Sequence, residues 1–62
     1  MEIGDNVEIH TFDDGNQKFS NYKNIWIIED LMYNKGKTKL KNRDNIKIII
    51  TSISSWKLTI IK

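Results

Sequence analysis

Few residues of this chain carry side chains suited to catalysis. His10 is the single histidine, cysteine is absent, and the serines (Ser20, Ser52, Ser54 and Ser55) fall among turn-forming residues. A hydrolytic triad needs a nucleophile, a base and an orienting group that converge in one pocket. Serine hydroxyls in turns more often bond to the neighbouring backbone. We therefore expect a protein that is not an enzyme, and we assign it no catalytic residue.

Asp13 and Asp14 lie in the segment FDDGNQ, which invites comparison with a calcium-binding loop. Such a loop carries oxygen ligands at alternating positions and ends on a bidentate carboxylate. Here the two aspartates are adjacent, and no glutamate follows at the required distance. We expect a plain turn with no bound metal and no cofactor, in which the two carboxylates are available to a cationic ligand.

Basic residues form a candidate anion-binding stripe, Lys37, Lys39, Lys41, Arg43 and Lys47. The alternating lysines would share one face of a strand. On that face they could contact the phosphates of a nucleic acid, or they could be the solvent side of a half-buried sheet, where lysine discourages pairing between edges. The formal net charge is only +2, so we favour the solvent face and keep nucleic-acid binding as the alternative.

Aromatic residues are the other candidate binding group. Tyr22, Tyr33 and Trp56 lie near predicted turns, whereas Trp26 lies within a predicted strand between Ile25 and Ile27. If these two isoleucines face inward, Trp26 faces outward, because side chains alternate along a strand. We therefore predict Trp26 as an exposed anchor. For every aromatic residue, packing in the core is an equally good interpretation.

The elements that must position these residues are predicted to be strands. Isoleucine is abundant, alanine is absent, and clusters of Gly, Asn, Asp and Ser separate strand-length segments at 6–12, 24–33, 37–42, 46–53 and 56–61. Branching at Cβ favours strands over helices. The 62 residues thus predict a single all-β domain, 1–62: five antiparallel strands in a small barrel or bent sheet, with a long irregular connection after the first strand.

The registers of the central strands can be predicted from turn length and hydrophobic alternation. A two-residue loop at 35–36, with Gly36 at positive φ, aligns Leu31 with Leu40. A three-residue loop at 43–45 aligns Leu40 with Ile48. Together they turn the lysines outward and Ile46, Ile48 and Ile50 inward.

The spacing of these strands and turns, with the opening segment Gly4-Asp5-Asn6-Val7, resembles the Src-homology-three-like small barrels. The resemblance covers the whole chain and implies that the long connection, the first hairpin and the turn before the last strand surround one groove. Tyr22, Tyr33 and Trp56 would line it. The ALYDY stretch and tandem tryptophan of the signalling domains and the Asn-Val-Arg segment of the bacterial cell-wall domains are absent, so the resemblance implies no particular ligand.

Three functions fit this sequence, and all three are binding functions. We rank first a protein-interaction module, such as a small inhibitor or accessory protein of a phage or mobile element, which docks through an aromatic groove or a strand edge. Second is a nucleic-acid-binding barrel that uses the lysine stripe, and third is a domain of a bacterial lysin that binds cell-wall peptide or glycan. The chain has no apolar run of membrane-spanning length and no signal-peptide pattern, so we expect a cytoplasmic protein if this is the full gene product. Oligomeric state and partner identity cannot be deduced from the sequence.

Overall fold

Five antiparallel strands form one open sheet. The computed structural model describes residues 1–22, 25–32 and 36–61. The strands are β1 (Asn6–Ile9), β2 (Trp26–Met32), β3 (Lys37–Asn42), β4 (Ile49–Ile53) and β5 (Leu58–Ile60), in the sheet order β4-β3-β2-β1-β5. The predicted all-β antiparallel class is confirmed. The sheet is not closed into a barrel, since among the described residues β4 and β5 are its two edges.

The connection from β1 to β2 is more regular than the sequence suggested. The first 3-10 helix, Asp14–Asn21, occupies most of it, and β1 ends at Ile9 instead of reaching residue 12. The helix sets Phe19 against the buried core, and Phe12 packs there just before the helix begins. A second 3-10 helix, Ser55–Lys57, precedes β5, so Trp56 lies in this turn and not at the start of the last strand. The connections that precede β2 and β5 thus each contain a 3-10 helix.

The predicted register between β2 and β3 is wrong. Leu40 pairs with Ile28 in place of Leu31, and a bulge follows between Ile28 and Asp30. The difference is three residues, an odd number, so the face of β2 that shares the core with Leu40 changes. Trp26 and Ile28 are buried, while Ile27 is only half-buried. The short turn on which the prediction rested includes Lys35, outside the described residues, although Gly36 does have the expected positive φ of 81°.

The register between β3 and β4 also differs from the prediction, but by two residues. Leu40 pairs with Ile50 and not with Ile48. An even shift leaves each side chain on its predicted face, so Ile50 is buried and Ile49 is exposed. Ile46 is the exception, because β4 begins at Ile49 and Ile46 lies exposed in the preceding loop.

A buried asparagine accounts for the longer loop between β3 and β4. Asn42 is buried, and its side-chain oxygen accepts the backbone N–H groups of Asp44 and Asn45 at 3.0 and 3.1 Å. The backbone N–H of Asn42 donates to the Ile48 carbonyl at 2.9 Å. These bonds satisfy two amides inside the loop, which would otherwise lack a backbone partner. They close a loop of five residues, 43–47, and so fix the register.

Leu40→Ala should lower the free energy of unfolding by about 2 to 5 kcal/mol, because it opens a cavity between Ile28 and Ile50. Urea denaturation followed by circular dichroism measures the change. Ile46→Ala is the matched control, and as a surface substitution it should stay within about 0.5 kcal/mol of the wild type. Equal urea concentrations at the unfolding midpoint for the two variants would contradict the placement of Leu40 at the centre of the core.

Candidate functional site

The two tryptophans have opposite environments. Trp26 is 0% exposed, and the ring of Phe19 meets it edge-on, with the ring centroids 5.9 Å apart and the planes at 89°. The prediction that Trp26 is an exposed anchor is therefore wrong, because the shifted register turns Trp26 into the core. Trp56, in contrast, is 67% exposed although it is one of the largest apolar side chains in the chain.

The backbone around Trp56 is held firmly by His10. The His10 N–H donates to the Lys57 carbonyl at 3.0 Å, and the His10 side chain places Nε2 3.0 Å from the Trp56 carbonyl oxygen. Because a carbonyl only accepts, Nε2 carries the proton in this bond. The other ring nitrogen, Nδ1, lies 3.0 Å from the Thr11 hydroxyl. One residue just beyond β1 thus fixes two successive carbonyls of the second 3-10 helix.

The ammonium of an ion pair lies over the face of the Trp56 ring. The Lys57 ammonium lies 5.1 Å from the centroid of the Trp56 ring and is paired with the Asp13 carboxylate. The Lys57 side chain is only 13% exposed, so the pair is partly shielded from solvent. A cation over an aromatic face is attracted by the ring quadrupole. We define the Trp56 surface as His10, Thr11, Asp13, Trp56 and Lys57.

The two predicted tyrosines are not shown to join this surface. Tyr22 is exposed, but it contacts Phe19, with ring centroids 6.2 Å apart. It follows the end of the first 3-10 helix, whereas Asp13 of the Trp56 surface precedes its start. Tyr33 lies outside the described residues. Of the two predicted groove residues that the structure describes, Trp56 belongs to the Trp56 surface and Tyr22 packs on Phe19.

The lysine stripe lies on the predicted outer face but is not a continuous positive surface. Lys41 is 3.1 Å from the Glu29 carboxylate, and Lys39 stands opposite Asp30 on β2. The Lys37 ammonium instead donates to the Ser54 hydroxyl at 2.8 Å. Acidic residues of the neighbouring strand therefore offset much of the positive charge on β3.

The remaining two basic residues of the stripe, Arg43 and Lys47, are exposed in the loop between β3 and β4. Asp44 lies between them in this loop. They are therefore separated from the β3 lysines by a change of element, and the five residues do not form one row.

Comparison of the chain with protein-family models, with curated proteins and with solved structures found no match. Among the described residues, the helices are too short and too polar to cross a bilayer.

His10 and Lys57 are the site residues that the sequence did not reveal, since neither was assigned a binding role. Asp13 was predicted as a carboxylate available to a cationic ligand, and in the structure it is paired with Lys57. His10 and Trp56 are 46 positions apart, and Asp13 and Lys57 are similarly distant in the chain. Hydrophobic periodicity and turn patterns report only local order, so no signal in a single sequence links these pairs.

Changing Lys39, Lys41 and Lys47 together to Gln should leave the binding of a protein partner unchanged. If the stripe instead bound duplex DNA, each lost phosphate contact would reduce the slope of log affinity against log salt by about 0.9. Fluorescence anisotropy with a labelled duplex over a salt series measures this slope. Lys41→Gln and Lys18→Gln, on β3 and on the first 3-10 helix, each remove one charge and form the matched pair. A slope that falls for the triple variant and not for Lys18→Gln would identify the stripe as a nucleic-acid site.

Proposed function

We propose that this chain is a non-enzymatic binding module that docks onto a protein partner through the Trp56 surface. The observation that carries the proposal is that Trp56 is largely exposed while its backbone is held in place by His10. Structural packing alone gives no reason for this arrangement. The same fold buries its other tryptophan completely, and burial of an aromatic side chain contributes several kcal/mol to stability.

Exposed tryptophan is typical of the residues that dominate protein interfaces. Trp, Tyr and Arg are enriched among the few residues that carry most of the binding energy, since a large rigid ring buries much area and loses little conformational freedom. A single exposed apolar residue is common on protein surfaces. What distinguishes Trp56 is that both its backbone and its ring are contacted, the backbone by His10 and the ring by the Lys57 ammonium.

Pre-organisation is the physical benefit of those contacts. Binding costs about 0.5 to 1.5 kcal/mol for each flexible side chain that becomes ordered. The hydrogen bonds from His10 and the Lys57 ammonium over the ring restrict Trp56 before any partner arrives. Less ordering then remains for the binding step, so more of the buried area contributes to affinity.

The resemblance to Src-homology-three-like barrels supports the same surface. The long connection after β1 and the short turn before β5 are compatible with that architecture. In that architecture the connection and the turn flank the groove. Asp13 belongs to the connection and Trp56 to the turn, and the Asp13–Lys57 pair joins the two segments.

Trp56→Ala should weaken partner binding by about 2 kcal/mol or more, roughly thirtyfold, and should leave the fold intact. Wild-type protein, Trp56→Ala and Met32→Ala are immobilised at equal density and exposed to the same protein mixture. Proteins retained by the wild type and by Met32→Ala but not by Trp56→Ala are purified, and their binding to each of the three proteins is measured by calorimetric titration. Met32 is 78% exposed on β2 and serves as the matched apolar control.

Circular dichroism separates loss of binding from loss of folding in this experiment. Trp56→Ala should melt at the wild-type temperature, whereas Trp26→Ala should lose about 3 to 5 kcal/mol of stability. A folded Trp56→Ala variant with wild-type affinity for every retained protein would contradict the proposal, as would an equal loss for Met32→Ala.

A further inference from the structure

Positive charge is concentrated at the end of the sheet where β2 begins and β3 ends. Three basic residues and one acidic residue belong to the segments at this end: Lys18 in the last turn of the first 3-10 helix, and Arg43, Asp44 and Lys47 in the loop between β3 and β4. The whole sequence has ten basic and eight acidic residues, so the other seven of each sign cancel. The formal net charge of +2 therefore equals the charge of this end.

The helix and the loop lie at the same end because both are anchored at the start of β2. Phe19, next to Lys18 in the helix, meets the ring of Trp26, the first residue of β2, with the centroids 5.9 Å apart. The Arg43 N–H donates to the carbonyl of Ile25, just before β2, at 3.0 Å. The end of the helix and the start of the loop are thus held to two successive residues.

Tyr22 is the exposed aromatic residue of this end. It is 43% exposed, and its ring contacts Phe19, with the centroids 6.2 Å apart. The Lys18 ammonium lies 5.2 Å from the centroid of the same Phe19 ring. Phe19, itself packed on Trp26, thus places an exposed ring and an ammonium group close together. We define the Tyr22 surface as Lys18, Tyr22, Arg43 and Lys47.

The cations of the Tyr22 surface are available to a ligand. Lys18, Arg43 and Lys47 are exposed, and among the described residues no acidic side chain lies within ion-pair distance of them. On β3, in contrast, the Lys41 ammonium is 3.1 Å from the Glu29 carboxylate. An anion that approached Lys41 would have to compete with Glu29, whereas no such competition exists at the Tyr22 surface.

Hydrogen bonds order the loop that carries two of these cations. The Asn45 side-chain oxygen accepts the Lys47 N–H at 3.1 Å, and the Asn45 carbonyl accepts the Ile48 N–H at 3.0 Å. The buried Asn42 side chain accepts the two amides that precede them. An ordered backbone lowers the entropy that a ligand must remove on binding, so the loop presents its basic side chains from a fixed base.

We infer that the Tyr22 surface is a second binding site, and that it takes a single-stranded nucleic acid. Tyr22 stacks on a base, while Lys18, Arg43 and Lys47 contact backbone phosphates. Proteins that bind single strands combine these two features, a positively charged path for the backbone and an exposed aromatic ring for the bases. The site differs from the lysine stripe, because it contains none of the β3 lysines.

The exposed ring favours a single strand over other anionic ligands. In a duplex the bases are stacked on one another, and only unstacked bases can lie on an aromatic side chain. An acidic protein segment or an anionic lipid surface would contact the three cations but has no base for Tyr22. These ligands therefore serve as controls for attraction by charge alone.

Salt dependence tests the phosphate contacts. Fluorescence anisotropy measures the affinity for a labelled oligothymidylate of about ten nucleotides over a salt series. Each phosphate contact on a single strand contributes about 0.7 to the slope of log affinity against log salt, so Lys18→Gln, Arg43→Gln and Lys47→Gln should each reduce the slope by about this amount. Lys41→Gln is the matched control. It also removes one charge, but from a lysine paired with Glu29, and it should leave the slope unchanged.

Substitution of Tyr22 tests the base contact separately. Tyr22→Ala should weaken binding by about tenfold or more at every salt concentration, with no change of slope, because stacking releases no counterion. Tyr22→Phe keeps the ring and should bind as the wild type does. Met32→Ala is the apolar control, and circular dichroism checks that each variant is folded. Equal affinities for Tyr22→Ala and Met32→Ala would contradict base stacking.

Three further results would overturn the inference. One is a wild-type protein that does not bind the oligonucleotide at low salt up to about 1 mM, where even weak binding is visible. Another is a slope that falls as much for Lys41→Gln as for Lys18→Gln. The third is equal affinity for polyglutamate or for anionic vesicles, which offer no base. None of these readouts depends on Trp56, so failure here and failure of the proposed function are distinguishable.

Discussion

The burial of Trp26 is the constraint on which the rest of the structure depends. A domain of this size can bury only about 60% of the surface that its unfolded chain exposes, so one large aromatic side chain is a substantial part of the core. Trp26 stands at the start of β2, paired with Val7 on one side and Asn42 on the other. Its position fixes the face of β2 that points inward and therefore which surface residues remain for function.

The position of the first 3-10 helix is explained by its packing on Trp26. Phe19 meets the Trp26 ring edge-on, an arrangement in which the positive ring edge faces the negative ring face. The helix that carries Phe19 also brings Asp13 to Lys57 at its start and Asn16 to Ser52. Core packing thus has two consequences at the surface, since it stabilises the Trp56 surface and joins the helix to the edge strand β4.

Buried polar groups give the β3 and β4 pair its specificity. The hydroxyl of Thr38 donates to the Ile53 carbonyl at 2.7 Å, and Asn42 binds the loop amides at the opposite end of the strand. Both side chains are buried with Leu40 between them. An unsatisfied buried polar group costs about 1 to 3 kcal/mol, so a slipped register would be penalised at both ends.

The sequence by itself determined where the strand-forming segments lie and which residues of β3 face outward. Isoleucine-rich segments between turn residues predicted five strands, the outward face of the β3 lysines and the inward face of Leu40, because these properties depend on local spacing. Only the tertiary structure decided which face of β2 is buried. The bulge after Ile28 and the loop closed by Asn42 shift registers that a turn-length argument sets differently. Since side chains alternate along a strand, the odd shift buries Trp26, which the pattern around Ile25 and Ile27 predicts as exposed. His10 and Asp13 meet Lys57 for a different reason: they are more than forty positions away in the chain, and the sheet brings β1 beside β5.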